Sequence, residues 1–171
     1  FQRILTADKT NYFALVFAGH CCVELNDALE ARKFYDQAVH VDEKQALAWQ
    51  AYGQYYEKFA VYDKNYCNCL QKIIELTGDE TKRLETKLKL AKCMSKIGKS
   101  TEAFQEIKTL WSEKLNIGKI SKVVVDLIPS LQLNSYKDIK FVVDCYENEV
   151  NCCEVALKKE KALGYLNFLL S

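Results

Sequence analysis

Two stretches of this chain, NYFALVFAGHCCVEL and ALAWQAYGQYYEKF, carry the same pattern of small and large residues one 34-residue period apart. With the second unit counted from Ala46, Trp49 takes the fourth position, Gly53 the eighth and Tyr56 the eleventh. One period earlier, counted from Tyr12, those positions hold Leu15, Gly19 and Cys22, and the unit continues with Ala31, Tyr35 and Ala38. A third unit counted from Leu84, after a slip of four residues at Thr77-Gly78-Asp79, gives Ala91 and Met94, then Ala103, Ile107 and Leu110. A period of this length marks stacked supersecondary units, none of which buries its apolar face alone. The spacing is steric: Gly or Ala at positions eight and twenty lets two helices approach closely, while large residues at four, eleven and twenty-four fill the surrounding space. Leu15, Gly19, Ala31, Tyr35, Ala38, Trp49, Gly53, Tyr56, Ala91 and Ala103 are therefore expected to be structural, with Trp49, Tyr56 and Tyr35 mostly core.

The pattern resembles the tetratricopeptide repeat, with Tyr52 where that repeat usually has Leu. It implies an all-α fold, a tetratricopeptide-repeat α-solenoid of antiparallel helix pairs. One Pro and six Gly in 171 residues agree, because many-turned β architecture needs more of both. The expected organisation is the end of a preceding repeat at 1–11, units at 12–45 and 46–79, a degenerate unit at 84–117, and further helix pairs of unassigned register over 118–171. Asn26-Asp27 and Gly98-Lys99-Ser100 sit between the two helices of the first and third units, offering a C-cap glycine in one and N-cap candidates in both. Pro129 is expected to end or kink the apolar segment from Ile120 to Leu133, with helical patterns following at about 135–150 and 151–170.

Charge is nearly balanced, with 24 Lys and Arg against 23 Asp and Glu, so any electrostatic role is local. The eight Cys form two adjacent pairs, a C-x-C and two singles, which does not supply the chelating pairs of a structural zinc site. Most lie among apolar residues, where a thiol acts as a small hydrophobe, and that points to a reducing compartment. No apolar run reaches the roughly 18 residues needed to span a bilayer. The chain begins at Phe1 inside a helical pattern and reads as a piece of a longer cytoplasmic protein without a membrane segment.

Several motifs invite chemistry and have simpler readings. GKST at Gly98 to Thr101 lacks the earlier glycine and the preceding strand of a phosphate-binding loop, so it reads as a helix–helix turn. His20, at position nine of its unit, either touches a partner or merely lines the groove. Lys82, Lys89, Lys92, Lys96 and Lys99 share one helical face, which is either a landing strip for RNA or an acidic segment, or a solvated surface. The candidate partner-binding residues are His20, Gln50, Gln54, Lys89, Lys92 and Lys96. Aromatic residues fall at repeat core positions rather than on a base-stacking platform. The clamp positions with which similar repeats grip chaperone C-termini hold Val16, His20, Ala51, Glu85 and Lys89, of which only Lys89 has the charge required.

The two opening stretches together are similar to the N-terminal repeats of tetratricopeptide scaffold subunits of superkiller complexes. That resemblance is good from about residue 8 to 77, plausible to 117 and weak beyond, and it departs at Cys22 and Glu43. It implies a protein without catalytic activity or cofactor. Such a scaffold holds a superkiller-type RNA helicase and WD-repeat subunits and couples them to the cytosolic exosome, with any RNA contact indirect. A generic adaptor capturing a peptide in its concave groove is the alternative, and an enzyme using a Cys or the GKST loop the weakest reading.

Overall fold

The computed structural model describes residues 1–113, 116–130, 136–152 and 164. Among these every regular element is helical: α1 (Gln2–Ala7), α2 (Tyr12–Glu24), α3 (Ala28–Val41), α4 (Ala46–Lys58), α5 (Lys64–Leu76), α6 (Glu80–Lys96), α7 (Ser100–Ser112), α8 (Ile117–Leu127), a 3-10 turn (Ile128–Ser130) and α9 (Tyr136–Cys152). The fold class is the all-α, tetratricopeptide-like one. The chain forms two compact units, Phe1–Cys93 and Met94–Ser171.

In the first unit α2 packs on α3, α3 on α4 and α4 on α5, with α2 also touching α4. Two of these helices carry a glycine in the middle of a buried face. Gly19 lies so close to Tyr35 that a methyl group there would stand 2.8 Å from the ring. Gly53 faces Ile73 across α4 and α5, with 3.1 Å left for the same methyl. Leu15, Ala31, Tyr35, Ala38 and Tyr56 are all buried, as are Ala91 and Ala103. Trp49 is only half-buried, and its Nε1 donates to the Glu43 carbonyl at 2.8 Å. The space inside α4 is filled instead by Tyr52, Tyr55 and Tyr56.

The turns between paired helices repeat more faithfully than the residues in them. Asn26, Ala60 and Gly98, each the fifteenth position counted from Tyr12, Ala46 and Leu84, all take left-handed backbone conformations, with φ of 60°, 51° and 85°. Each is followed by an amide that reaches back five residues: Asp27 to Cys22, Val61 to Tyr56 and Lys99 to Met94, at 2.8, 3.0 and 2.8 Å. This is the Schellman closure, which satisfies carbonyls that a helix end leaves open. Asp27 and Asp63 then cap α3 and α5, accepting from the amides of Glu30 and Tyr66. Ser100 does not cap α7 as the sequence suggested. The turn at Gly98 closes so tightly that the cap position falls on Lys99, which makes no side-chain cap, and Ser100 is already the first helical residue.

Helix starts at Tyr12, Ala46 and Glu80 keep the 34-residue period. The four-residue slip before Leu84 is therefore an extra helical turn, Glu80 to Arg83, capped by Asp79, whose carboxylate accepts from the amides of Thr81 and Lys82. In the second unit α7 packs on α8 and α8 on α9, and Lys108 pairs with Asp138 at 2.5 Å. Pro129 sits in the 3-10 turn that ends α8. The expected helix at about 135–150 is α9, and the pattern assigned to 151–170 lies, but for its first two residues and Gly164, outside the described residues.

Candidate protein-binding groove

Residues of α4, α5 and the first turns of α6 line a groove of about 240 Å³. Its floor is Gly53 with Leu70 and Ile73 of α5, and its walls carry Gln50, Gln54 and Glu57 on one side and Lys82, Glu85 and Lys89 on the other. The missing side chain at Gly53 keeps the floor low. Lys82 belongs to the extra turn of α6, so the same local lengthening that preserves the helix period supplies one wall.

One pair crosses the groove: Lys89 Nζ lies 2.7 Å from Glu57 Oε1, with both side chains about half exposed. Glu57 Oε1 also accepts from the Tyr66 hydroxyl at 3.3 Å. Behind Glu57, Tyr35, Tyr52, Tyr56 and Tyr66 form a stacked ladder with centroid separations of 5.6, 4.7 and 4.9 Å. The Tyr52 hydroxyl donates to Asp36 Oδ1 at 2.6 Å, tying α4 to α3. Burial pushes the Tyr35 and Tyr56 phenols up to about 12, and it raises Tyr52 and Tyr66 too, helped by the carboxylates of Asp36 and Glu57. These phenols stay neutral, and the ladder is a stiff backing for the groove.

Cys67, Cys69, Cys93 and Cys145 are buried, whereas Cys21 is exposed and Cys22 half-buried. Cys67 and Cys93 touch, sulfur to sulfur, at 3.1 Å, and burial raises the Cys93 thiol well above its ordinary value and Cys69 to about 12. Among the described residues no three His, Cys, Asp or Glu side chains gather as a metal site, and no helix is long and apolar enough to cross a membrane. Gly98 and Lys99 of GKST lie in the turn between α6 and α7, Ser100 and Thr101 already belong to α7, and a helix precedes the motif.

Of the residues singled out in the sequence, the groove brings together Gln50, Gln54 and Lys89. His20 is exposed on α2, while Lys92 and Lys96 lie further along α6, half-buried and exposed. The proposed lysine face ends there, because Lys99 lies beyond the helix and pairs with Glu102 at 3.2 Å. Sequence reasoning missed Glu57, Leu70 and Ile73. Glu57 stands three residues after Gln54 and seven after Gln50, a helical spacing that could have flagged it. The α5 residues carried no signal, since the second unit lacks the small residues that mark α3.

Short-looped helix pairs with glycine-notched crossings define a repeat protein of tetratricopeptide type. Within that class, the chain belongs to the family described as a domain of unknown function (DUF7017), whose profile matches residues 13–149. It is similar to superkiller complex protein 3 of Homo sapiens, 25% identical over 194 residues that cover 99% of this chain. Superkiller protein 3 of Schizosaccharomyces pombe is 30% identical over 159 residues, 88% of the chain, and tetratricopeptide repeat protein 37 of Xenopus laevis 37% over 94 residues, 53% of it. The chain spans only 12%, 11% and 6% of those proteins, in the same order.

Proposed function

We propose that this chain is part of a non-catalytic scaffold subunit of a superkiller-type complex. The observation that carries the reading is likeness to superkiller proteins of human and fission yeast over 99% and 88% of the chain. A tetratricopeptide-like stack presents surface rather than reactive groups, which suits holding partners. The partners are a superkiller-type RNA helicase, WD-repeat subunits and the exosome side of the assembly, in the cytoplasm, where the complex hands mRNA over for 3′–5′ decay. The surface around Lys89, Lys92 and Lys96 serves protein or RNA contact at the edge of that assembly.

The intact protein, tagged and purified from its own cells at low salt, is expected to bring down the helicase and WD-repeat subunits in stoichiometric amounts. Recovery of chaperones or membrane receptors with no helicase would sink the proposal. Charge reversal of Lys89, Lys92 and Lys96 that leaves every partner bound would remove the lysine surface from it.

A further inference from the structure

Cys67 of α5 and Cys93 of α6 meet sulfur to sulfur at 3.1 Å, about 1 Å beyond the length of a disulfide bond. The two residues are 26 apart in sequence, and both belong to the first compact unit. Hydrogen bonds hold the contact in place: Cys67 Sγ donates to Cys93 Sγ, which donates to the carbonyl of Asp63, the residue that caps α5, at 3.6 Å. Cys69 is engaged on α4 instead, where it donates to the Trp49 carbonyl at 3.3 Å.

The two thiols are not equally shielded. Cys67 is 7% exposed and lies in the first turn of α5, a helix end, where local opening is easiest. Cys93 is 0% exposed, and burial holds its thiol well above the ordinary value, so it stays protonated in the closed fold. A small oxidant therefore meets Cys67 first, with Cys93 already waiting against it. The ion pair that ties α6 to α4, Lys89 with Glu57, is half exposed and weakened by salt, so a covalent bond from α5 is a much stronger hold on α6.

We propose that Cys67 and Cys93 are a modification site: a reversible cross-link, closed by hydrogen peroxide, that locks α6 onto α5. Cys67 Sγ attacks one peroxide oxygen; the S–O bond forms as the O–O bond breaks, and the departing hydroxide takes the thiol proton and leaves as water. Cys93 Sγ then displaces hydroxide from the Cys67 sulfenic acid, the S–S bond forming as the S–O bond breaks, and its own proton leaves with that hydroxide as a second water. The two thiols lose two electrons and one peroxide gains them. A dithiol reductant reopens the bridge by exchange, so the pair stays reduced until peroxide rises. The lock requires nothing of the partners proposed above.

The test treats the folded chain with hydrogen peroxide, blocks the remaining thiols with N-ethylmaleimide, and maps tryptic peptides without reduction. The expected product joins Asn65–Lys72 to Cys93–Lys96 with Cys69 alkylated, and dithiothreitol separates the two. Cys69→Ser should give the same link, and Cys67→Ser or Cys93→Ser should abolish it. A chain unfolded in urea before oxidation should spread its disulfides over the eight cysteines, which separates native geometry from chance. Closing the loop should lower the unfolding equilibrium constant roughly a hundredfold, read as a higher urea midpoint that dithiothreitol reverses. The proposal is overturned if the link forms no faster in the folded chain than in the unfolded one, if peroxide carries Cys67 to the sulfinic acid without bridging, or if the bridged chain is no more stable than the reduced one. The intact protein, alkylated inside peroxide-treated cells, should carry the same linked peptide and lose it on recovery; a link confined to the purified chain would reject the switch.

Discussion

Replacing Gly19 by alanine is expected to destabilise the protein, whereas the same change at Gly53, the matching position one period later, is expected to be neutral or mildly stabilising. At Gly19 the new methyl would lie 2.8 Å from Tyr35 Cε1 and 3.0 Å from Cδ1 and Cζ, against an optimum near 3.5–4.0 Å for carbon pairs. The ring cannot swing aside, because Tyr52 and Tyr55 flank it at centroid distances of 5.6 and 6.2 Å. Overpacking of this kind costs about 1–3 kcal/mol, and alanine's higher helix propensity returns about 1 kcal/mol, leaving a net loss on the order of 1 kcal/mol. For a chain of this length that lowers Tm by roughly 2–4 °C. At Gly53 the only close atom is the terminal Cδ1 of Ile73, at 3.1 Å on a half-buried, flexible side chain, so the propensity gain dominates. Urea unfolding followed by circular dichroism measures both, and a double-mutant cycle with Tyr35→Leu isolates the clash. Gly19→Ala should cost much less in the Tyr35→Leu background. A Gly19→Ala protein as stable as the parent, or equal losses at both glycines, would refute the steric account of the crossing.

Ala60→Gly should raise Tm by a few degrees, since Ala60 holds φ 51° in a turn where its counterparts are Asn and Gly, and left-handed backbone costs a residue with Cβ about 1–2 kcal/mol, part of it lost to glycine's greater unfolded freedom. Tyr12→Phe should cost about 1 kcal/mol in urea unfolding, because the Tyr12 hydroxyl accepts from the buried Ala48 amide at 2.8 Å and donates to the Gln45 carbonyl at 3.3 Å. Unfolding in alkali should follow from the tyrosine ladder: folded pKa values raised to about 12 at Tyr35 and Tyr56 mean that their stabilisation is intact below pH ~10 and is lost as pH rises from there through about 12. Denaturant midpoints measured from pH 8 upward, with tyrosinate absorbance, should fall together across that window; a flat profile would contradict the burial of these phenols.

Sequence by itself determined the helical class and pointed to small residues at the helix crossings, because close helix approach limits side-chain size there whatever the neighbouring residues are. It also located the turns, since Gly98 and Asn26 are residues that adopt left-handed backbone readily. The tertiary structure decided what local pattern does not encode. The slip before Leu84 became an extra turn of α6, started by the Asp79 carboxylate on the amides of Thr81 and Lys82, and that turn brings Lys82 to the groove. Helix α4 has no side-chain cap of its own and is closed by Tyr12 from the preceding pair, a bond across more than thirty residues. Trp49, the loudest residue of the motif, stayed half-exposed while tyrosines took the interior, because stacking between α3, α4 and α5 depends on which rings meet, and that follows from how neighbouring helices pack rather than from any one helix's own spacing.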